Sequence, residues 1–357
     1  MSNRPPLQAQ EVIKAIEHKG PARVPMMIHF WNFIRNDATP ARKEALAQLH
    51  QEYPDDLYMA SPLMPAPWQE TAQPSYIPGY SWTSQLAPKE LQAYDSVVYM
   101  KDWDMLDDVL AAWPNPQMPQ MTAGLKEKVH AESKGRYVLS PWWFCFFERM
   151  WWSFRGMENM LCDFYEHPQK VHRLMDALCD FYVTTIHRVG REIGPHGMLT
   201  SDDIGMQTGS MFGPDIFREF FKPRYKRLID ACHEHNMHLW LHTCGNVLPF
   251  MEDFVEIGLD VIHPIQKYTM DEREVADKFG GRISFWSGMD VQQILPWGKP
   301  EDVRREVRFM IDTFDGPGGG CMITAGNGVT DDNPIENLRA FYDEAYTYGM
   351  EHRKRFS

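Results

Sequence analysis

The stretch Met237-His238-Leu239-Trp240-Leu241-His242-Thr243-Cys244-Gly245-Asn246 decides how this chain folds. It opens as a short apolar run of strand length, and Gly245-Asn246 breaks it. A near-continuously apolar strand is the kind that lies buried on both faces, in a parallel sheet covered by helices. The run also ends in chemistry. His242 and Cys244 are two residues apart, so on an extended chain they share a face and can point at one ion.

The same unit recurs on both sides of this stretch. Apolar runs at 24–30, 57–60, 137–140, 197–200, 261–262, 283–286 and 322–324 read as further strands. Between and around them, amphipathic or capped segments at 7–19, 40–53, 157–166, 169–193, 215–236, 248–257, 271–279, 300–314 and 334–352 read as helices. Pro223 predicts a kink or a break within 215–236. About eight strand-then-helix units favour a TIM-like (β/α)8 barrel over an open doubly wound sheet. No GxGxxG follows the first strand, which weakens a dinucleotide-binding reading. The α/β chain is expected to be one barrel domain, 1–357, with an N-terminal helical extension. The one long irregular stretch, 61–119, is rich in Pro, Trp and Gln, with a strand expected at 97–100. Loops of this length in compact domains are usually functional, so it is expected to be a lid near the barrel mouth.

Composition narrows the function. In 357 residues, 43% hydrophobic and 24% charged content describes a globular chain with ample core. A formal net charge of −13 disfavours nucleic acid and anionic membranes, which attract basic surfaces. No apolar stretch approaches the ~18 residues of a membrane span. The start, Met1-Ser2-Asn3-Arg4-Pro5-Pro6, lacks the apolar core of a signal peptide. Cys145, Cys162, Cys179 and Cys232 are scattered without CxxC pairing and read as reduced thiols. Together these features predict a cytoplasmic protein.

Barrel active sites lie at the C-terminal ends of the strands. Polar and metal-capable residues gather there: Asp202, Asp203, His242, Cys244, His263 and Asp290. Downstream, Cys321 follows Gly318-Gly319-Gly320. One imidazole and two thiolates make a soft set suited to zinc, and three protein ligands leave an open fourth position, as in catalytic sites. His242, Cys244 and Cys321 are therefore the expected zinc ligands. Cys321 sits at the start of its strand, so it joins them only if the strand begins later or an irregular segment carries it over. Glu148 is a candidate fourth ligand. Asp202, Asp203 and His263 are candidate catalytic residues, although strand-end Asp also caps helices readily. Trp142, Trp143, Phe146 and Trp286 are candidates for a pocket wall or for core.

With those residues laid out, the chain resembles the uroporphyrinogen decarboxylase superfamily over nearly its whole length. The resemblance rests on Glu11-Val12-Ile13-Lys14-Ala15-Ile16 leading into Ala22-Arg23-Val24-Pro25, and on Phe154-Arg155-Gly156-Met157-Glu158-Asn159. It continues through Asp202-Asp203-Ile204-Gly205-Met206-Gln207, Phe217-Arg218-Glu219-Phe220 and Leu241-His242-Thr243-Cys244-Gly245-Asn246. Late matches are Gly288-Met289-Asp290-Val291-Gln292, Gly318-Gly319-Gly320-Cys321 and Asn333-Pro334-Ile335-Glu336-Asn337. The metal-free decarboxylases of that superfamily carry an Arg-x-Ala-Gly-Arg type segment that grips substrate carboxylates. Here the corresponding stretch, 26–35, holds a lone Arg35. The other branch resembles the zinc-dependent corrinoid methyltransferases, whose His-x-Cys with a distant Cys is matched by His242, Cys244 and Cys321. That resemblance implies zinc, a corrinoid (cobalamin-type) cofactor on a partner protein, and a small-molecule methyl donor or acceptor. The alternative is a metal-free uroporphyrinogen-type decarboxylase.

Overall fold

The computed structural model describes residues 4–28, 39–69, 76–86 and 98–356. Seven parallel strands run in chain order: β1 (Leu57–Met59), β2 (Tyr137–Trp142), β3 (Gly197–Ser201), β4 (His238–His242), β5 (Val261–His263), β6 (Ser284–Met289) and β7 (Cys321–Ala325). The helices between them cover the outer face, as near-continuously apolar strands require. The two helices Met157–Glu166 and Pro300–Phe314 match their sequence-based spans residue for residue.

The eighth stave is the segment around Met26. Ile323 N–H donates to Pro25 O and Met27 N–H to Ile323 O, while on the other side Asp56 N–H donates to Met26 O. The sheet thereby closes into a barrel. The expected strand 24–30 is reduced to a bridge in its described part, residues 24–28, and 29–30 lie outside the described residues. The reason is local. Two donors that a ladder would use are taken by carboxylates, Met26 N–H by Asp56 Oδ2 at 2.8 Å and Ile28 N–H by Asp55 Oδ1 at 2.8 Å. Asp56 is fully buried and also receives the Arg23 guanidinium at 2.6 and 2.7 Å and Leu7 N–H at 2.7 Å. Asp56→Ala is expected to cost about 3–5 kcal/mol, because it leaves a buried guanidinium without its counter-ion. Urea unfolding of the two proteins side by side measures it, and a loss under 1 kcal/mol would refute this closing role.

Large aromatic side chains fill the barrel. Tyr137, Trp240 and Trp286 come from the alternate strands β2, β4 and β6 and meet in the interior. Their ring centroids lie 5.8 Å (Tyr137–Trp240) and 5.2 Å (Trp240–Trp286) apart. Such layers from alternate strands are how these barrels are packed. The N-terminal helix Ala9–Ile16 lies across the opposite end from the mouth: Ala9 N–H donates to Gly135 O before β2, and Gly20 N–H to Gly318 O before β7.

Pro223 acts as the sequence suggests, with a particular geometry. A wide π turn, Phe217–Phe221, separates the short Pro214–Ile216 from the helix Lys222–His233. Proline lacks an N–H and crowds the preceding turn, which the widened turn accommodates. In the long segment 61–119, residues 70–75 and 87–97 lie outside the described residues. No strand forms at 98–100; Met100 N–H donates instead to Phe154 O. The described part packs on the helices after β2, with Trp82 against Phe181 and Tyr182 and with Trp103 Nε1–H on Asp163. None of its described residues lines the cavity at the mouth.

Candidate metal centre

The parallel register brings three strand ends level: Ser201 pairs with His242, and His242 with His263. The residues just beyond these ends form the site. Asp203 Oδ1 accepts from the Cys244 amide at 2.7 Å, tying the turn after β3 to the turn after β4. Its Oδ1 lies 3.6 Å from His242 Nε2, and Cys244 Sγ lies 3.4 Å from the same nitrogen. One ligand atom from each of Asp203, His242 and Cys244 lies within 4.8 Å of the other two. Zinc–ligand bonds of roughly 2.0–2.3 Å put neighbouring tetrahedral donors a little under 4 Å apart, so this spacing fits one ion.

Glycine makes the close approach possible. Gly245 has φ +83°, and a Cβ there would lie 2.4 Å from the carbonyl carbon of Gly205. A Cβ on Gly205 would in turn lie 2.6 Å from Cys244 O. The two turns therefore clasp backbone to backbone, and Asn246 N–H donates to Met206 O across them.

Burial dominates the electrostatics of the cluster. Burial, then the charges of Asp203 and Glu148, push the Cys244 thiol up. Burial, then Asp203 and Asp202, raise the Glu148 carboxyl, whose Oε2 accepts from Ser201 Oγ–H at 2.8 Å. Burial pushes the His242 imidazole down, favouring the neutral ring that a metal binds. A cavity of about 270 Å³ opens beside the cluster, lined by Asp203, Cys244, Gln266, Lys267, Asp290 and Asn327 among others. Lys267, the one cationic side chain lining it among the described residues, is already paired with Glu306 at 2.5 Å and Glu272 at 3.3 Å.

The other sequence candidates are redistributed. Cys321 opens β7, pairs with Phe285 and is fully buried. Phe285 packs on Phe314 of the helix Pro300–Phe314, so this pair of residues faces the helices rather than the barrel interior. Cys321 thus points away from the interior, at the end of β7 remote from Gly326 and Asn327, which line the cavity. The expected third ligand is not brought to His242 and Cys244. The strand begins at Cys321 itself, earlier than the sequence suggests, so neither route that would have carried it to the site exists. Asp203 takes that place in the cluster.

Asp202, next door, faces the other way. It is fully buried and accepts from the N–H groups of Phe146, Phe147 and Glu148 and from Tyr225 O–H. Burial pushes its carboxyl up to about 6. It caps the short helix Phe147–Met150 and holds Glu148 in place. His263 lies behind His242, its Nδ1 2.6 Å from His242 Nδ1 and its Nε2 3.3 Å from Ala325 O. Asp290 lines the cavity and accepts from Gln292 and Ile294 N–H. Trp142 and Phe146 pack on Tyr182 as core, and Trp286 fills the barrel interior. Sequence reasoning missed Gln266, Lys267 and Asn327. Asn327 Nδ2 lies 3.9 Å from Cys244 Sγ, and only its position just past the end of β7 could have flagged it.

Comparisons with known proteins follow the same lines. The sequence model described as "Uroporphyrinogen decarboxylase (URO-D)" matches residues 144–348. A uroporphyrinogen decarboxylase from Actinobacillus succinogenes is 24% identical over 57% of this chain and 54% of its own length. A methylated-thiol–coenzyme M methyltransferase from Methanosarcina mazei is 28% identical over 52% of this chain and 47% of its own length. The chain thus spans about half the length of these two curated relatives. Among solved structures, a methyltransferase from Methanosarcina mazei superposes with TM-score 0.64 at 15% identity, covering 95% of this chain and 98% of that one. That likeness shows the TIM-barrel-like fold.

Proposed function

Because this chain belongs to the uroporphyrinogen decarboxylase family, we propose that it is a zinc-dependent methyltransferase within it. It moves a methyl group between a small substrate (a thiol or a methylated or methoxylated compound) and a corrinoid carried by a separate protein in the cytoplasm. The observation that carries this reading is the Asp203–His242–Cys244 donor cluster at the barrel mouth. One further feature supports it over decarboxylation of a polycarboxylate tetrapyrrole. The one described cation lining the cavity, Lys267, is already committed to two glutamates, whereas carboxylate recognition calls for available Arg or Lys donors.

His242, Cys244 and Asp203 would hold the ion, with Glu148 adjacent. Zinc bound there supplies Lewis-acid polarisation of a thiol sulfur or an ether oxygen. The chain's own residues do the rest. The Cys244 amide orients the Asp203 carboxylate, and the Ser201 hydroxyl fixes Glu148 behind it. Asp290 braces the loop after β6 that forms the far wall. No helix among the described residues is long and apolar enough to cross a membrane, and all six cysteines are unpaired.

The test is spectroscopic. Methyl-corrinoid and reduced corrinoid absorb differently, so mixing enzyme, either corrinoid form and a panel of thiols and methyl ethers reports transfer directly. The expected result is corrinoid turnover that chelation abolishes and added zinc restores. Conversion of uroporphyrinogen to coproporphyrinogen by chelated enzyme would overturn the proposal.

A further inference from the structure

We infer that His263 is a positioning residue that sets the tautomer of His242 and so decides which nitrogen of that ring faces the ion. The inference rests on the cluster being a metal site, not on which reaction the metal serves. The chain of contacts starts at the end of β7. Ala325 O is a carbonyl and can only accept, so His263 Nε2, 3.3 Å away, must carry a hydrogen to bond with it. A neutral imidazole carries one N–H, which leaves His263 Nδ1 as an acceptor. His242 Nδ1 lies 2.6 Å from that atom and must therefore be the donor. The remaining nitrogen of His242, Nε2, is then the lone-pair side. It is the nitrogen that sits 3.4 Å from Cys244 Sγ and 3.6 Å from Asp203 Oδ1.

The relay is held rigidly. Both rings are buried, at 5% and 1% exposure, in surroundings that disfavour an extra proton and its charge. Trp286 packs on the His263 ring with centroids 4.7 Å apart, tilted by 47°, and so limits its rotation. The His242 and His263 backbones pair between β4 and β5, so neither ring can drift along its strand. His263 lies outside the cavity lining and reaches the cluster through His242. Metal-ligating histidines need such a partner on the far nitrogen, and its loss typically costs 10–100-fold in metal affinity.

Zinc affinity, read by competition with a chromophoric chelator, and the visible spectrum of the cobalt(II)-substituted protein test the inference. His263→Leu is expected to weaken zinc binding about 10–100-fold and to shift the cobalt bands. His263→Gln, whose amide oxygen can accept from His242 Nδ1–H, is expected to recover part of the affinity. Unchanged affinity in His263→Leu would overturn the inference. A second measurement does not depend on that variant folding. Long-range ¹H–¹⁵N correlation spectra of ¹⁵N-histidine-labelled wild type, before metal is added, report the tautomer of each ring. His242 in the Nδ1–H form is the expected result, and the Nε2–H form refutes it. A wild-type protein that binds zinc tightly but moves no methyl group would sink the proposed reaction and leave this inference standing.

Discussion

Cys244→Ala is expected to leave the protein without stoichiometric zinc and to lower methyl transfer by roughly a thousandfold or more, whereas Cys321→Ala retains both. The scale follows from the several kcal/mol that a Lewis-acid metal contributes to a transition state. The contrast between the two cysteines follows from geometry. Cys244 Sγ faces His242 Nε2 and Asp203 at the mouth. Cys321 is fully buried at the start of β7, its pair partner Phe285 turned toward the helices, and its loss removes one core sulfur at about 1–2 kcal/mol. Elemental analysis of both variants beside wild type, with Asp203→Ala as a third, separates the two ligand sets. Zinc lost from Cys321→Ala and kept by Asp203→Ala would reject the Asp203–His242–Cys244 assignment.

Gly245→Ala is expected to be nearly as damaging, though it removes no ligand. The new Cβ would lie 2.4 Å from the carbonyl carbon of Gly205 and 2.6 Å from Met206 N, at a residue with φ +83°. Those neighbours are backbone and cannot rotate aside. Strain at a left-handed position and forced displacement of two turns together cost roughly 2–5 kcal/mol. The displaced turn carries Cys244, so zinc affinity falls along with stability. Gly209→Ala is the control, since a Cβ there meets nothing within 4 Å. Thermal unfolding of chelated protein and zinc titration measure the two effects. If Gly245→Ala matched Gly209→Ala in both, the clasp would not be what places Cys244.

How much of this was legible in the sequence differs from element to element. The helices Met157–Glu166 and Pro300–Phe314 were legible to the residue, because the pattern that marks a helix is local. The strand ending at His242 was legible for the same reason. The stave around Met26 was not, since what reduces it to a bridge is a pair of carboxylates, Asp55 and Asp56, about thirty residues away. Cys321 misled because ligand chemistry can be read from composition, whereas the strand end and the face that a residue occupies depend on pairing. Phe285 and Trp286 show the difference: Phe285 faces the helices with Cys321, and Trp286 faces the interior with Met322. Asp202 and Asp203 were both visible as strand-end acids. Only the register distinguishes them, sending Asp202 to cap a helix and Asp203 toward His242.

The aromatic packing of Tyr137, Trp240 and Trp286 and the helix Ala9–Ile16 across the far end make the barrel a blind well. Among the described residues these groups fill the interior and cover the far end, so what reacts at the cluster arrives and departs by the mouth. For a reaction shared between a small molecule and a bulky protein-borne carrier, that imposes a queue. On the proposed reaction, a carrier docked at the mouth would stopper the opening, so the small partner would have to be seated before the carrier arrives. Release would run in reverse, and excess carrier would slow turnover by blocking the entrance ahead of the substrate.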